Sequence, residues 1–148
     1  MEFIKKITPY DIFNCTLFPY EKYISTNMII LTIYEFNKNL YYTFNINLPN
    51  IIISENDLVL IKKIFDMFSS IYGKLEISEN SVYFLEKINS ITDAEKNLDI
   101  ILQEIFNILF KSKYITNETY FGISYRCRNA SNTGYVMVNE FIKYSTNM

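Results

Sequence analysis

Residues 28–48, MIILTIYEFNKNLYYTFNINL, decide the fold. The first third, Met28-Ile29-Ile30-Leu31-Thr32-Ile33-Tyr34, is a β-branched apolar run. Asn37-Lys38-Asn39 follows as turn chemistry, and Leu40 to Leu48 then sets Tyr42, Phe44, Ile46 and Leu48 against Tyr41, Thr43, Asn45 and Asn47. Alternation with period two places successive side chains on opposite faces of a strand, so the stretch reads as a β-hairpin. The unbroken apolar run predicts a first strand buried on both faces at the centre of a sheet. The clean alternation of the second predicts burial on one face and a place nearer the edge.

Working outward, Ser54 followed by Asp57 marks a helix start. Leu58, Ile61, Ile64, Phe65, Phe68, Ile71 and Tyr72 recur at helical spacing as far as Gly73, with Lys62, Lys63, Asp66, Ser69 and Ser70 opposite. Lys74 to Ser78 and Ser81 to Lys87 flank Glu79-Asn80 as a second hairpin. Thr92 with Glu95 has the spacing of a capping box, ahead of Leu98, Ile101, Leu102, Ile105, Phe106 and Leu109 on a second amphipathic helix that ends near Lys111 to Lys113. A third hairpin runs from Tyr120 to Arg128, turns across Asn129 to Gly134, and returns from Tyr135 to Tyr144. On the amino-terminal side a short strand is expected at Phe3 to Ile7 and an irregular connection from Thr8 to Tyr23. The expected architecture is a single α+β domain over residues 1–148. Its antiparallel β-sheet is built from hairpins and carries two amphipathic helices, in the order β-ββ-α-ββ-α-ββ. Profilin-like domains, longin-like domains and small secretion chaperones resemble this element order, which bears on fold and not on function.

The composition excludes more chemistry than it supplies. The 148 residues contain no histidine, the side chain that most readily moves protons near neutral pH, so histidine-based nucleophile activation and histidine-ligated metal sites are ruled out. With Gly73, Gly122 and Gly134 isolated from one another, no phosphate-cradling glycine loop can be built. Glu95 and Asp99 stand one turn apart, and Asp57 opens the first helix. Acids near a helix start face solvent and meet its dipole favourably, so these are read as a solvated face rather than a catalytic pair. No catalytic residue, cofactor or metal ligand is assigned. The 24 Ile, 17 Asn and 12 Lys against 2 Ala and 2 Arg reflect AT-rich codons, so the abundance of tyrosine and asparagine is not in itself a functional signal.

Charge and targeting cues narrow the setting. A formal charge of −2 and a pI near 5.2 argue against a general nucleic-acid binder. Neither a signal-peptide pattern nor a window of ~18 uninterrupted apolar residues occurs, so a cytoplasmic protein without a membrane span is expected. Cys15 and Cys127 lack metal-ligand spacing and are read as reduced thiols.

One string stands apart. Asn129-Ala130-Ser131-Asn132-Thr133-Gly134, preceded by Arg126 and Arg128, resembles the arginine and Asn-x-Ser-x-x-Gly signature of PilZ cyclic-dinucleotide receptors. The two arginines are two apart and abut the second motif, whereas that family separates the elements. Only fourteen residues follow Gly134, too few for the rest of a PilZ barrel. Turn chemistry accounts for the same residues.

Arg126 and Arg128 remain informative, because they are the only arginines and sit two apart on a strand, projecting from one sheet face. A planar guanidinium grips a carboxylate or phosphate with two hydrogen bonds, which lysine cannot do. With Ser124 and Asn129 they form the candidate partner- or ligand-binding residues. The expected function is a small acidic, non-catalytic domain that binds and masks another protein, a toxin, an effector or a defence protein. Immunity proteins, phage-encoded anti-defence inhibitors and secretion chaperones are the model types, and a homodimer is a further arrangement to consider. The alternative is a nucleotide or single-stranded nucleic-acid module using Arg126, Arg128 and neighbouring tyrosines.

Overall fold

The computed structural model of the chain describes residues 27–71 and 73–127, and the backbone of 130–137. The strand expected at Phe3 to Ile7, the connection at Thr8 to Tyr23, Cys15, Tyr72, Arg128, Asn129 and everything beyond Met137 lie outside the described residues. The rest is one α+β domain of six strands and two helices. The strands are β1 (Met28–Phe36), β2 (Asn39–Asn47), β3 (Lys74–Ile77), β4 (Ser81–Ile88), β5 (Tyr120–Cys127) and β6 (Ala130–Met137). Helix α1 spans Glu55–Asp66 and α2 spans Ile91–Lys111. Strand order across the sheet is β3-β4-β2-β1-β5-β6, with no closed barrel among the described residues.

The opening hairpin forms where the sequence places it, with a tighter turn. Phe36 pairs with Asn39, and the two residues between them, Asn37 and Lys38, hold φ of 51° and 66°. Positive φ at both turn positions matches the twist of the flanking strands, and asparagine tolerates it best among residues with a side chain. Burial in this hairpin corrects the expectation. Ile29, Leu31 and Ile33 are fully buried while Ile30 is 39% exposed, so β1 is buried on one face only. Nor does β2 lie towards an edge; it sits between β1 and β4. Its polar residues belong to a sheet face that no described helix covers, which alternation alone cannot distinguish from an edge.

The sheet is also not purely antiparallel, because β5 runs parallel to β1, Met28 opposite Gly122 through Ile33 opposite Cys127. β4 is antiparallel to β2, and β2 to β1, so β4 and β5 share a direction and need a crossover. The 21 residues of α2 supply it, running ~32 Å at 1.5 Å per residue back along the sheet. The apolar side chains of α2, from Ala94 to Leu109, and Ile61, Ile64 and Phe65 of α1 pack on one sheet face. From the strands that face receives Ile29, Leu31, Ile33, Tyr42, Phe44, Ile46, Val82, Phe84, Phe121, Ile123 and Tyr125.

Both helix starts are capped by serine. Ser54 Oγ accepts from Asp57 N at 3.3 Å, while the Tyr114 hydroxyl accepts from Ser54 N at 2.8 Å and donates to Asp57 at 3.0 Å. The second cap is Ser90 rather than Thr92: Ser90 Oγ accepts from Asp93 N at 3.1 Å, and Thr92 lies inside the first turn. Ser90-x-x-Asp93 satisfies an orphan N–H of the first turn, two residues earlier than the Thr92 pattern would. Ser90→Ala is therefore expected to lower stability by about 0.5–2 kcal/mol. Thr92→Ala should stay within about 0.5 kcal/mol. Urea midpoints of the two variants check this, and equal losses would contradict the assignment.

Helix α1 stops at Asp66, short of the Gly73 boundary, and Ile71 is 91% exposed. Serines end it by competing for backbone groups. Ser69 Oγ donates to the Phe65 carbonyl at 2.9 Å, and Ser70 turns away to a carboxylate on β4, Glu86. At the far end of α2, Lys113 with φ of 64° completes a six-to-one closure, Tyr114 N donating to the Leu109 carbonyl at 3.0 Å. The third hairpin is shifted as well. β6 starts at Ala130, so Ala130 to Gly134 are strand residues paired with β5 rather than a turn.

Candidate partner-binding face

The side of the sheet away from the helices is defined by register. Ile30 lies between Asn45 and Ser124, Thr32 between Thr43 and Arg126, and Tyr34 opposite Tyr41. On β4, Tyr83 neighbours Asn45, Leu85 neighbours Thr43, and Lys87 neighbours Tyr41. Because every second residue of a strand shares a face, these side chains form one surface, and no described helix packs on it. Tyr34, Tyr41 and Tyr83 are half-buried, with the Tyr34 and Tyr41 rings stacked at 5.6 Å between centroids. Burial raises the pKa of the Tyr34 phenol, and the Tyr83 and Tyr41 phenols raise it further.

Arg126 stands at the β5 side of this surface. It is exposed, and among the described residues it has no carboxylate within salt-bridge distance. Phe121, Ile123 and Tyr125 alternate onto the helix side, each fully buried, as the pattern of the strand requires. Ser124 shares the face of Arg126 but is only 8% exposed, so it supports the surface rather than offering a contact. Arg128 and Asn129 lie outside the described residues. Of the four candidates, the structure therefore places Arg126, exposed, and Ser124, buried, on the same sheet face.

Charge is segregated between the two layers. The open face carries Lys74, Lys87 and Arg126 against the single carboxylate of Glu76, which pairs with Lys74 at 3.1 Å. In the helices, Glu55, Asp57, Asp66, Asp93, Glu95, Asp99 and Glu104 outnumber Lys62, Lys63, Lys96 and Lys111. An acidic chain thus turns a mildly cationic, hydroxyl-rich face outward from its sheet.

The buried polar groups serve the scaffold. Tyr125 donates to Glu95 at 2.7 Å, and its phenol pKa is raised first by burial and then by that carboxylate. Tyr42 accepts from Asn97 at 3.3 Å, and its phenol is pushed up to about 12, mainly by burial. Both phenols stay neutral and anchor α2 to the sheet. Glu95, singled out as one of a carboxylate pair, is thereby engaged as an acceptor inside the fold. Among the described residues no cluster of three acidic or cysteine side chains could hold a metal ion, and Cys127 carries a thiol rather than a disulfide. No helix of the described residues is long and apolar enough to cross a membrane.

Clefts among the described residues include two at the ends of the sheet and of α2. One of about 730 Å³ lies under the end of α2, floored by Phe110 and Ile115 and rimmed by Lys111, Lys113 and Glu118. Another of about 370 Å³ lies beside the β1–β2 turn, between Glu35, Lys38, Asn39 and Lys87. Neither brings together a nucleophile, a base and an oxyanion donor.

Sequence reasoning missed the tyrosines of this face. Tyr34, Tyr41 and Tyr83 belong to three strands, and only the β1–β2 and β2–β4 registers bring them onto one face, Tyr34 opposite Tyr41 and Tyr83 opposite Asn45. The available signal was Tyr41 on the polar face of β2. No protein-family model matches the chain, and no curated protein or solved structure matches it either.

Proposed function

We propose that this chain is a small non-catalytic domain that binds and masks another protein, docking it on the open sheet face. The observation that carries the reading is the stacked pair Tyr34 and Tyr41, with Tyr83, Lys87 and Arg126, on one sheet face that no described helix covers. Tyrosine and arginine are enriched where protein interfaces concentrate their binding energy: each offers a rigid apolar body with a hydrogen-bonding tip. Every polar tip here is a donor or can become one, and the tips sit beside cations. The favoured partner surface is therefore acidic, as on a toxin, effector or defence protein held by an immunity protein, an anti-defence inhibitor or a secretion chaperone.

A second reading has one observation in its favour. Tyrosines with an arginine on one sheet face also form a stacking platform for single-stranded nucleic acid. The pI near 5.2 and the mutual stacking of Tyr34 with Tyr41, which occupies one face of each ring, weigh against it.

The test is a pull-down from the cell that encodes the chain, followed by titration of the recovered protein. Tyr41→Ala, and the double change Arg126→Lys with Arg128→Lys, should each weaken binding with an unchanged melting curve. The arginine pair loses about thirtyfold if a desolvated two-point contact is broken. Wild-type affinity in both variants would refute the face as the docking site. Salt-sensitive binding of an oligothymidylate, abolished by Tyr41→Ala, would replace this reading by the second.

A further inference from the structure

The two edges of the sheet are built differently. β3 is four residues long, and its Lys74 and Glu76 are both exposed. β6 is eight residues long, Ala130-Ser131-Asn132-Thr133-Gly134-Tyr135-Val136-Met137, with neither a charge nor a proline. An edge strand leaves a row of N–H and C=O groups unpaired on its outer side, and short length, charges and proline are the usual devices that stop another strand from adding there. β3 has two of these devices and β6 has none. Among the described residues, no strand pairs with the outer side of β6.

We propose that β6 is a self-association edge, at which two copies of the chain pair antiparallel about a two-fold axis and join their sheets into one. Antiparallel pairing of a strand with itself is closed, since residue i meets j as j meets i, and it stops at a dimer. A charge near the middle of such a strand would stand close to its own copy, and like charges opposite one another are destabilising. The uncharged run from Ala130 to Met137 removes that obstacle, which makes a second copy the occupant that fits. Directly opposed residues share a face, so the axis must pass through a residue that meets its own copy; with it at Thr133, Ala130 meets Val136 of the second copy. Arg126 is opposite Ser131, so the two Arg126 residues fall towards opposite ends of the seam rather than facing each other.

The inference stands independently of what the sheet face binds. If that face docks a partner, the dimer sets two such faces side by side on a continuous sheet, and a partner with two copies of its epitope would gain avidity without any new contact.

Sedimentation equilibrium of the full chain over a dilution series is the first test. The expected result is a weight-average mass that rises with concentration to twice the single-chain 17.6 kDa and then levels. Asn132→Pro and Thr133→Pro make the seam specific. Neighbouring residues of a strand point their N–H groups to opposite sides, so one proline removes a bond to β5 and the other an outward donor. The variant that keeps the wild-type melting temperature should sediment at 17.6 kDa throughout. Should both prolines lower the melting temperature, hydrogen exchange of the wild-type chain decides: β6 amides must become more protected as concentration rises. A wild-type chain at single-chain mass at every concentration would overturn the proposal. So would a stable proline variant that still dimerises, β6 protection independent of concentration, or a mass that climbs past the dimer without levelling.

Discussion

Phe65→Ala is expected to lower the unfolding free energy by about 3–5 kcal/mol, the range for deleting a buried phenylalanine ring. Phe65 is fully buried where α1 meets the sheet. Its ring centroid lies 4.8 Å from Phe84 on β4 and 5.8 Å from Phe44 on β2, and Phe84 in turn meets Tyr42 edge-on at 5.9 Å. One side chain therefore joins the helix to two strands, and two tilted aromatic contacts go with it, each adding to the area term. The consequence extends to the helix itself. At 12 residues α1 is too short to persist without tertiary contacts, and only Ile61, Ile64 and Phe65 of it are buried. Urea denaturation measures the loss, and proteolysis within residues 55–66 should accelerate in parallel. A cost below about 1 kcal/mol would mean that the helix is held by something other than this ring cluster.

The same ring cluster shows what periodicity makes legible. Phe65 falls on the apolar stripe of α1, Phe44 and Phe84 on the inward positions of their strands, and each is deducible from spacing alone because helix and strand periods differ. The helix-to-sheet pairing follows, since each element has one apolar face and needs another to cover it. Strand order does not follow. Nothing local in Tyr120–Cys127 says that it lies beside β1 rather than beyond β4; that depends on how far α2 carries the chain and on which edge of the central hairpin is still open. The burial of β1 on both faces was a misreading with a compositional cause. In a chain with 24 isoleucines, an apolar residue at position 30 is weak evidence of a second buried face.

Element ends were legible only where a single device decides them. Gly73 looked like the stop of α1, yet two serines end the helix first by offering its backbone alternative partners. Two cap-like patterns overlapped at Ser90 and Thr92, and the earlier one prevailed because its oxygen reaches Asp93 N. The candidate site was legible as a pair of arginines and illegible as a surface, since a surface is made by register. Arg126 was found by rarity, whereas the tyrosines were hidden by their abundance.

Glu86 shows how a charge can take an inward strand position, and its removal is the second large effect expected. Val82, Phe84 and Glu86 alternate onto the helix side of β4, and Glu86 is only 3% exposed. Its carboxylate is met by fixed donors: Oε2 accepts from Ser70 N at 2.7 Å, and Oε1 accepts from Ser70 Oγ at 2.7 Å and from Lys87 N at 2.8 Å. Hydrogen bonds to a charged group contribute about 1.5–3 kcal/mol each, but Ser70 is exposed enough to regain water, so Glu86→Ala is expected to cost about 2–4 kcal/mol in total. Gly73 belongs to the same latch. A Cβ at that position would sit 2.6 Å from Glu86 Oε2 and 3.3 Å from the Ser70 carbonyl. A free glutamate could swing aside, but this one is pinned by Ser70, so Gly73→Ala must either break those bonds or displace the loop between α1 and β3, at about 1–3 kcal/mol. The two effects share one cause and must not add. In a Glu86→Ala background the blocking oxygen is gone, and Gly73→Ala should lose most of its cost, giving a coupling energy of about 1 kcal/mol or more in a double-mutant cycle. Strict additivity of the two variants in urea would show that glycine is required at position 73 for a reason other than the approach of Glu86.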